Sequence, residues 1–114
     1  MPKKSLSTVK IFYPRYSQPE LLILLRQRTL GLAAVLPLNR VVLFGSWAKG
    51  KATAFSDIDL LVVYQGPPQE DAYNLVWKHM DLHGLQSHVY TEQEAEQHKT
   101  TLERMTKDGI SLFP

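Results

Sequence analysis

The stretch from Val41 to Val63, VVLFGSWAKGKATAFSDIDLLVV, restricts the possible fold more than any other part of the chain. Val41 to Phe44 is an apolar, β-branched run stopped by Gly45, and Ile58 to Val63 is a second such run, closed by the breaker Gln65-Gly66-Pro67-Pro68. The pattern predicts a strand, a turn, a short helix or loop, and a second strand. Asp57 and Asp59 stand at the start of that second strand. Side chains alternate along a strand, so both carboxylates face one side while Ile58, Leu60 and Val62 face the other. Neighbouring like charges repel. A divalent cation with oxygen ligands is the usual reason to keep such a pair.

The turn before the carboxylates supplies complementary chemistry. Gly45-Ser46 follows the first strand directly, and glycine lets backbone approach a ligand closely. A helix beginning at Trp47 would aim its free N–H groups at a phosphate, and Ser46 adds a hydroxyl. Phosphate donors on one loop and two carboxylates on the next strand suit a nucleoside triphosphate carried with magnesium. The segment Gly45 to Lys51 also imitates a P-loop, but Ala52 occupies the position where that motif needs Ser or Thr for the metal. The next element is moreover a strand, where a P-loop runs into a long helix.

Gly45-Ser46, followed after a short spacer by Asp57-x-Asp59, resembles the signature of the DNA polymerase β-type nucleotidyltransferases. The fuller form is similar to the single-domain branch called minimal nucleotidyltransferases, with Ala48, Gly50, Ser56, Asp57, Ile58, Asp59 and Leu60 matching and Lys49 standing where Arg is commoner. The resemblance implies Asp57 and Asp59 as catalytic residues and magnesium ligands, with room for two ions. It implies Gly45, Ser46, Lys49 and Ser56 as nucleotide-binding residues, and ATP as the substrate. It implies transfer of a nucleoside monophosphate, AMP in this reading, to a hydroxyl. It also implies a small helical partner of the HEPN class in a toxin–antitoxin pair. The family pattern carries an aspartate on the third strand, and aligned on Tyr90-Thr91 that position holds Gln86. Gln86 cannot act as a general base, and His88, two residues on, shares its face. A non-catalytic, nucleotide-binding antitoxin or scaffold is the alternative that this departure raises.

The rest of the chain sets bounds. At 114 residues a single nucleotidyltransferase domain over 1–114 is expected, with 1–16 a poorly readable N-terminal arm. The apolar share of 44% is ordinary for a globular protein. With no cysteine, thiol chemistry is excluded and an intracellular, cytoplasmic setting is favoured. No signal peptide is visible, and no apolar run is long enough to span a bilayer. A net charge of +2 is too small to argue for direct nucleic-acid binding. With no second substrate domain, the acceptor must come from another macromolecule or subunit, so a homo- or hetero-oligomer is expected.

The expected fold is α/β: a small mixed sheet of three main strands with helices mainly on one face. Lys10 to Tyr13 reads as a short edge strand or a docked arm, and Phe12, Tyr13 and Tyr16 as an aromatic cluster packed on the domain. A helix starts near Pro19, its leucines distributed around the axis as if more than one face were covered. Another follows Pro67-Pro68 and ends near Gly84, bringing His79 and His83 to metal-ligand spacing without a further ligand in register. Leu85 to Tyr90 forms the third strand, reached by a helical crossover and so parallel to a neighbour. Thr91 and Glu94 cap a last, polar helix ending before Gly109, and Ile110 to Phe113 is an apolar tail.

Overall fold

The computed structural model of the protein describes residues 15–114. Helix α1 (Gln18–Ala33) begins where its sequence signals cluster. Ser17 Oγ accepts from Glu20 N–H, and the Glu20 carboxylate accepts from Ser17 N–H at 2.8 Å, so the start of the helix caps its own donors. The bond from the Ser17 backbone, seconded by its hydroxyl, holds the Glu20 carboxyl below its ordinary range. Leu21, Leu25, Thr29 and Leu32 form the buried face. On the opposite side Ile23 and Leu30 are 61% and 69% exposed.

Four strands make one sheet: β1 (Leu38–Phe44), β2 (Ile58–Tyr64), β3 (Leu85–Thr91) and β4 (Ile110–Phe113), in the order β3-β2-β1-β4. β1 runs antiparallel to both β2 and β4, whereas β3 lies parallel to β2 after the crossover through α2 (Ala72–Met80). The fourth strand goes beyond the three expected. It is the apolar tail, which pairs Ser111 with Val42 and Ile110 with Leu43. Four residues are too few to display a strand period; the open edge of β1 is what makes them a strand.

The two central strands are buried on both sides, so they read as unbroken apolar runs. On one face Val41, Leu43, Ile58, Leu60 and Val62 join Leu21, Leu25 and Leu32 of α1 and Val76 and Met80 of α2 in the main core. On the other face Val42, Phe44, Leu61 and Val63 meet Leu102 and Ala95. These last two residues belong to the short helices α3 (Glu92–Gln97) and α4 (Lys99–Met105). The longer helices therefore share one face, and the short pair covers part of the second.

Two local expectations change, and a third is decided. The last helix starts with the Thr91–Glu94 capping box but breaks at His98, whose N–H is shared between Glu94 O and Ala95 O at 3.2 Å each. Such shared bonds mark helix ends. α2 stops at Met80, where Asp81 turns left-handed at φ 46°, so His79 and His83 do not share a helix face and their metal-ligand spacing is not realised. Residues 45–50 form successive turns, the loop form of the short helix or loop expected there, so no helix N-terminus at Trp47 faces the turn. Gly45 and Gly50, at φ 77° and 72°, bend both ends of that segment out of the right-handed region. The readings placed on Lys10–Tyr13 and on Phe12 and Tyr13 lie outside the described residues. No helix among the described residues is long and apolar enough to cross a membrane.

Candidate functional site

The strand registers bring the carboxylate end of β2 together with its neighbours. Phe44, Asp59 and Gln86 form one row across β1, β2 and β3, and Val42, Leu61 and His88 form the next. Helices α3 and α4 pack on the second row and beyond, over Val42, Leu61 and Val63. In the first row Asp59 is half-buried and Gln86 exposed. The His88 ring leans on Phe44, with centroids 5.6 Å apart and planes tilted by 51°. A positive charge on His88, one row away, favours the ionised Asp59 carboxylate.

Gly45 joins the two halves of the motif. It stands at φ 77°, and a Cβ placed on it would collide with the Asp59 carboxylate, whose Cγ lies 3.3 Å from that point. The turn backbone therefore passes directly against the acid. Asp57, exposed one residue before β2, adds a second negative charge. Burial, and after it the charge of Asp57, push the Asp59 carboxyl above its ordinary value. Two carboxylates close to one another beside a tight turn carry an electrostatic cost while both are charged.

The remaining predicted residues are distributed around this centre. Ser46 is half-buried in the turn and Lys49 is exposed. Backbone bonds from Lys49 N to Gly45 O at 3.2 Å and from Lys51 N to Ser46 O at 2.9 Å hold the turn. Ser56 Oγ accepts from Thr53 N–H at 2.8 Å and so closes the loop leading to Asp57. It also lines a cavity of about 590 Å³ with Trp47, Ile58, Leu82 and His83, a cavity whose lining includes neither Asp57 nor Asp59. Sequence reasoning missed two supports. Gln18 donates from Nε2 to Trp47 O at 2.7 Å, fastening the turn to the first turn of α1, and Trp47 is buried at 4% exposure beneath the loop. An aromatic residue directly after Gly45-Ser46 was a usable signal for the second. Nothing local links Gln18 to a turn so far along the chain.

A magnesium ion fits the residues present in one particular way. Among the described residues no three His, Cys, Asp or Glu side chains converge as a metal-binding group. Magnesium is nevertheless commonly held by one or two carboxylates when substrate phosphates complete its coordination. Asp57 and Asp59 meet that requirement, and the missing Cβ at Gly45 leaves the room that the Asp59 carboxylate itself occupies.

Residues 32–110 match the family model of the nucleotidyltransferase domain. A candidate nucleotidyltransferase from Sulfolobus solfataricus superposes with a TM-score of 0.56 at 24% identity, over 96% of this chain and 87% of that one. A mutant of the toxin–antitoxin pair MntA-HpeT aligns with a TM-score of 0.55 at 20% identity, over 77% of this chain and 72% of that one. A toxin–antitoxin structure with AMP-PNP aligns with a TM-score of 0.55 at 22% identity over the same shares. At these identities the likeness is one of fold. No characterised protein sequence matches the chain significantly.

Proposed function

Because the chain belongs to the nucleotidyltransferase domain family, we propose that it binds a nucleoside triphosphate at the Gly45-Ser46 turn and transfers its nucleoside monophosphate to a hydroxyl of a partner protein. The observation that carries this reading is the Asp59 carboxylate lying directly against Gly45, which makes the turn and the acidic strand one site. Ser46 and Lys49 lie within the turn as donors to phosphate oxygens. Asp57 and Asp59 would hold magnesium, which supplies charge neutralisation at the phosphates when it is bound. The acceptor hydroxyl oxygen bonds to the α-phosphorus as the bond to the β-phosphate oxygen breaks, and pyrophosphate leaves. The hydroxyl proton passes to solvent or to His88, which shares the face of Asp59 and Gln86.

ATP is the triphosphate favoured, since a protein of like fold is a toxin–antitoxin pair solved with AMP-PNP. The same likeness favours an antitoxin role, and the resemblance of the Gly45-Ser46 and Asp57-x-Asp59 signature to the minimal nucleotidyltransferases adds a small helical HEPN-type protein as the acceptor. The outward side of α1, with Ile23 and Leu30 exposed, is an apolar surface consistent with an oligomeric assembly.

Calorimetry tests the site. Asp57→Asn and Asp59→Asn should each weaken magnesium–ATP binding, and unchanged affinity in both would refute the assignment. Mass spectrometry of a co-purified partner should show an added monophosphate. One observation favours a second reading: Gln86 occupies the position opposite Asp59 on β3, and it cannot accept the hydroxyl proton. General-base assistance is typically worth ~10²–10⁴-fold, so Gln86→Asp should raise transfer more than it changes ATP affinity. If neither protein modifies a tightly bound partner, the non-catalytic antitoxin replaces the enzyme.

A further inference from the structure

Helix α1 reaches both halves of the site, each time through one polar side chain that holds two successive carbonyls. Gln18 donates from Nε2 to Trp47 O at 2.7 Å and to Ala48 O at 3.3 Å, in the turn that follows Gly45-Ser46. Arg28, half-buried, donates from Nη1 to Met80 O and to Asp81 O, the latter at 2.8 Å. Those carbonyls stand where α2 ends and residues 81–84 turn toward β3, with Asp81 at φ 46° and Gly84 at φ 81°. The far end of that corner is bonded to the acidic strand: the N–H of Ile58, between Asp57 and Asp59, donates to Gly84 O at 2.8 Å. A Cβ on Gly84 would lie 3.7 Å from Ser56 O, so the corner also lies against the residue before Asp57. We propose that Arg28 is a positioning residue for this site: through the corner at residues 81–84 it fixes where Asp57 and Asp59 stand relative to the turn that Gln18 holds. The inference rests on the nucleotide reading above and adds to it the residue that sets the spacing of its two halves.

Carbonyls at a helix C-terminus lack a partner in their own helix and carry partial negative charge, so a guanidinium is favoured there on both counts. Its donors lie in a rigid plane. One guanidinium bonded to two successive carbonyls therefore orients the peptide units as well as setting their distance. The ten residues from Gln18 to Arg28 span about 15 Å of helix, so both anchors are referred to one continuous element. The direct link between the halves is weaker: residues 51–57 carry neither helix nor strand. Part of the space between that loop and the corner is the cavity of about 590 Å³, with Thr53, Ser56 and Ile58 lining one side and Leu82 and His83 the other. Side-chain packing alone does not set their separation. An arginine that only capped α2 would add stability and leave the site unmoved; one that positions the acids controls the Ile58–Gly84 bond.

Two measurements on the full chain separate these roles. Amide hydrogen exchange followed by NMR reads the Ile58 N–H against Leu61 and Val62 in the middle of β2. Arg28→Met keeps an apolar stem and removes the donors. It should speed Ile58 exchange roughly tenfold or more while Leu61 and Val62 keep their wild-type protection. Arg28→Lys, a point charge facing two carbonyls, should give the same selective change at smaller size, and it decides the matter if Arg28→Met does not fold. Calorimetry with a non-hydrolysable ATP analogue and magnesium should show affinity lowered on the order of tenfold in Arg28→Met. Unchanged Ile58 exchange, or acceleration spread evenly along β2, would overturn the inference and leave Arg28 a helix cap alone. Selective opening at Ile58 with unchanged analogue affinity overturns the positioning role but leaves the nucleotide site standing. No binding of the analogue by wild type removes the nucleotide reading and this inference with it.

Discussion

At Gly45 a left-handed φ of 77° and the adjacent Asp59 carboxylate both exclude a side chain. Gly45→Val is expected to lose nucleotide binding and to destabilise the fold, because a β-branched residue is strained in this region. Gly45→Ala separates the two effects in thermal melts and calorimetry, since it keeps the clash and reduces the strain. Ser46→Ala should weaken triphosphate binding by about 1.5–3 kcal/mol, the range for a hydrogen bond to a charged group. Asp59 carries a pH signature. Its carboxyl is raised by burial and then by Asp57, above an ordinary value of ~3.9. A raised carboxyl holds its proton more tightly in the folded chain than in the unfolded one. Stability therefore falls as pH climbs from the unfolded to the folded value, and the whole loss persists above it. Asp59→Asn should melt higher than wild type near pH ~7, and the gain should vanish below the ordinary carboxylate range. A variant less stable than wild type at neutral pH would mean that the ionised carboxylate has a stabilising partner.

Among the elements, α1 and β4 make contrasting demands. The start of α1 is held by the reciprocal Ser17–Glu20 bonds, and Ser17→Ala should cost about 1 kcal/mol in denaturant unfolding, as caps commonly do. The same helix end anchors the turn through Gln18 and Trp47 O, so Gln18→Ala is expected to loosen nucleotide binding without touching the nucleotide. β4 owes its existence to β1. Leu112, 7% exposed, packs into the main core, and Leu112→Ala should cost about 2–5 kcal/mol, the range for truncating a buried leucine. A loss under ~0.5 kcal/mol in chemical denaturation would show that β4 is dispensable to the core. Arg26 also reaches Ser111 O at 3.4 Å, a second link between the first helix and the last strand.

For the molecule as a whole, ligand binding and folding are one equilibrium. A ligand that binds only the folded state stabilises it by about 2.7 kcal/mol at a hundredfold excess over its Kd. Magnesium–ATP should therefore raise the melting temperature of wild type and leave the Asp57→Asn/Asp59→Asn double variant unmoved. A shift of equal size in the double variant would place the nucleotide elsewhere. The sheet makes this linkage direct, because Asp59 lies on a central strand hydrogen-bonded to β1 and β3 on either side.

Several features were decided by short-range chemistry and are legible in the chain. Unbroken apolar runs around Gly45 mark the central strands, because a strand covered on both faces needs no alternation. Ser17 with Glu20, and Thr91 with Glu94, mark helix starts, since a capping box involves residues three apart. The strand period predicts a shared face for Asp57 and Asp59, and Asp57 stands one residue ahead of β2. Other features depend on partners distant in sequence. The collision that bars a side chain at Gly45 involves a residue on another strand. The tail became β4 through the free edge of β1. His88 is held by Phe44, and Gln86 faces Asp59 only once the parallel register is set. α2 ends at Met80, and the Arg28 guanidinium of α1 donates to the Met80 and Asp81 carbonyls; carbonyls at a helix end lack a partner in their own helix, and here the donor comes from a residue distant in sequence.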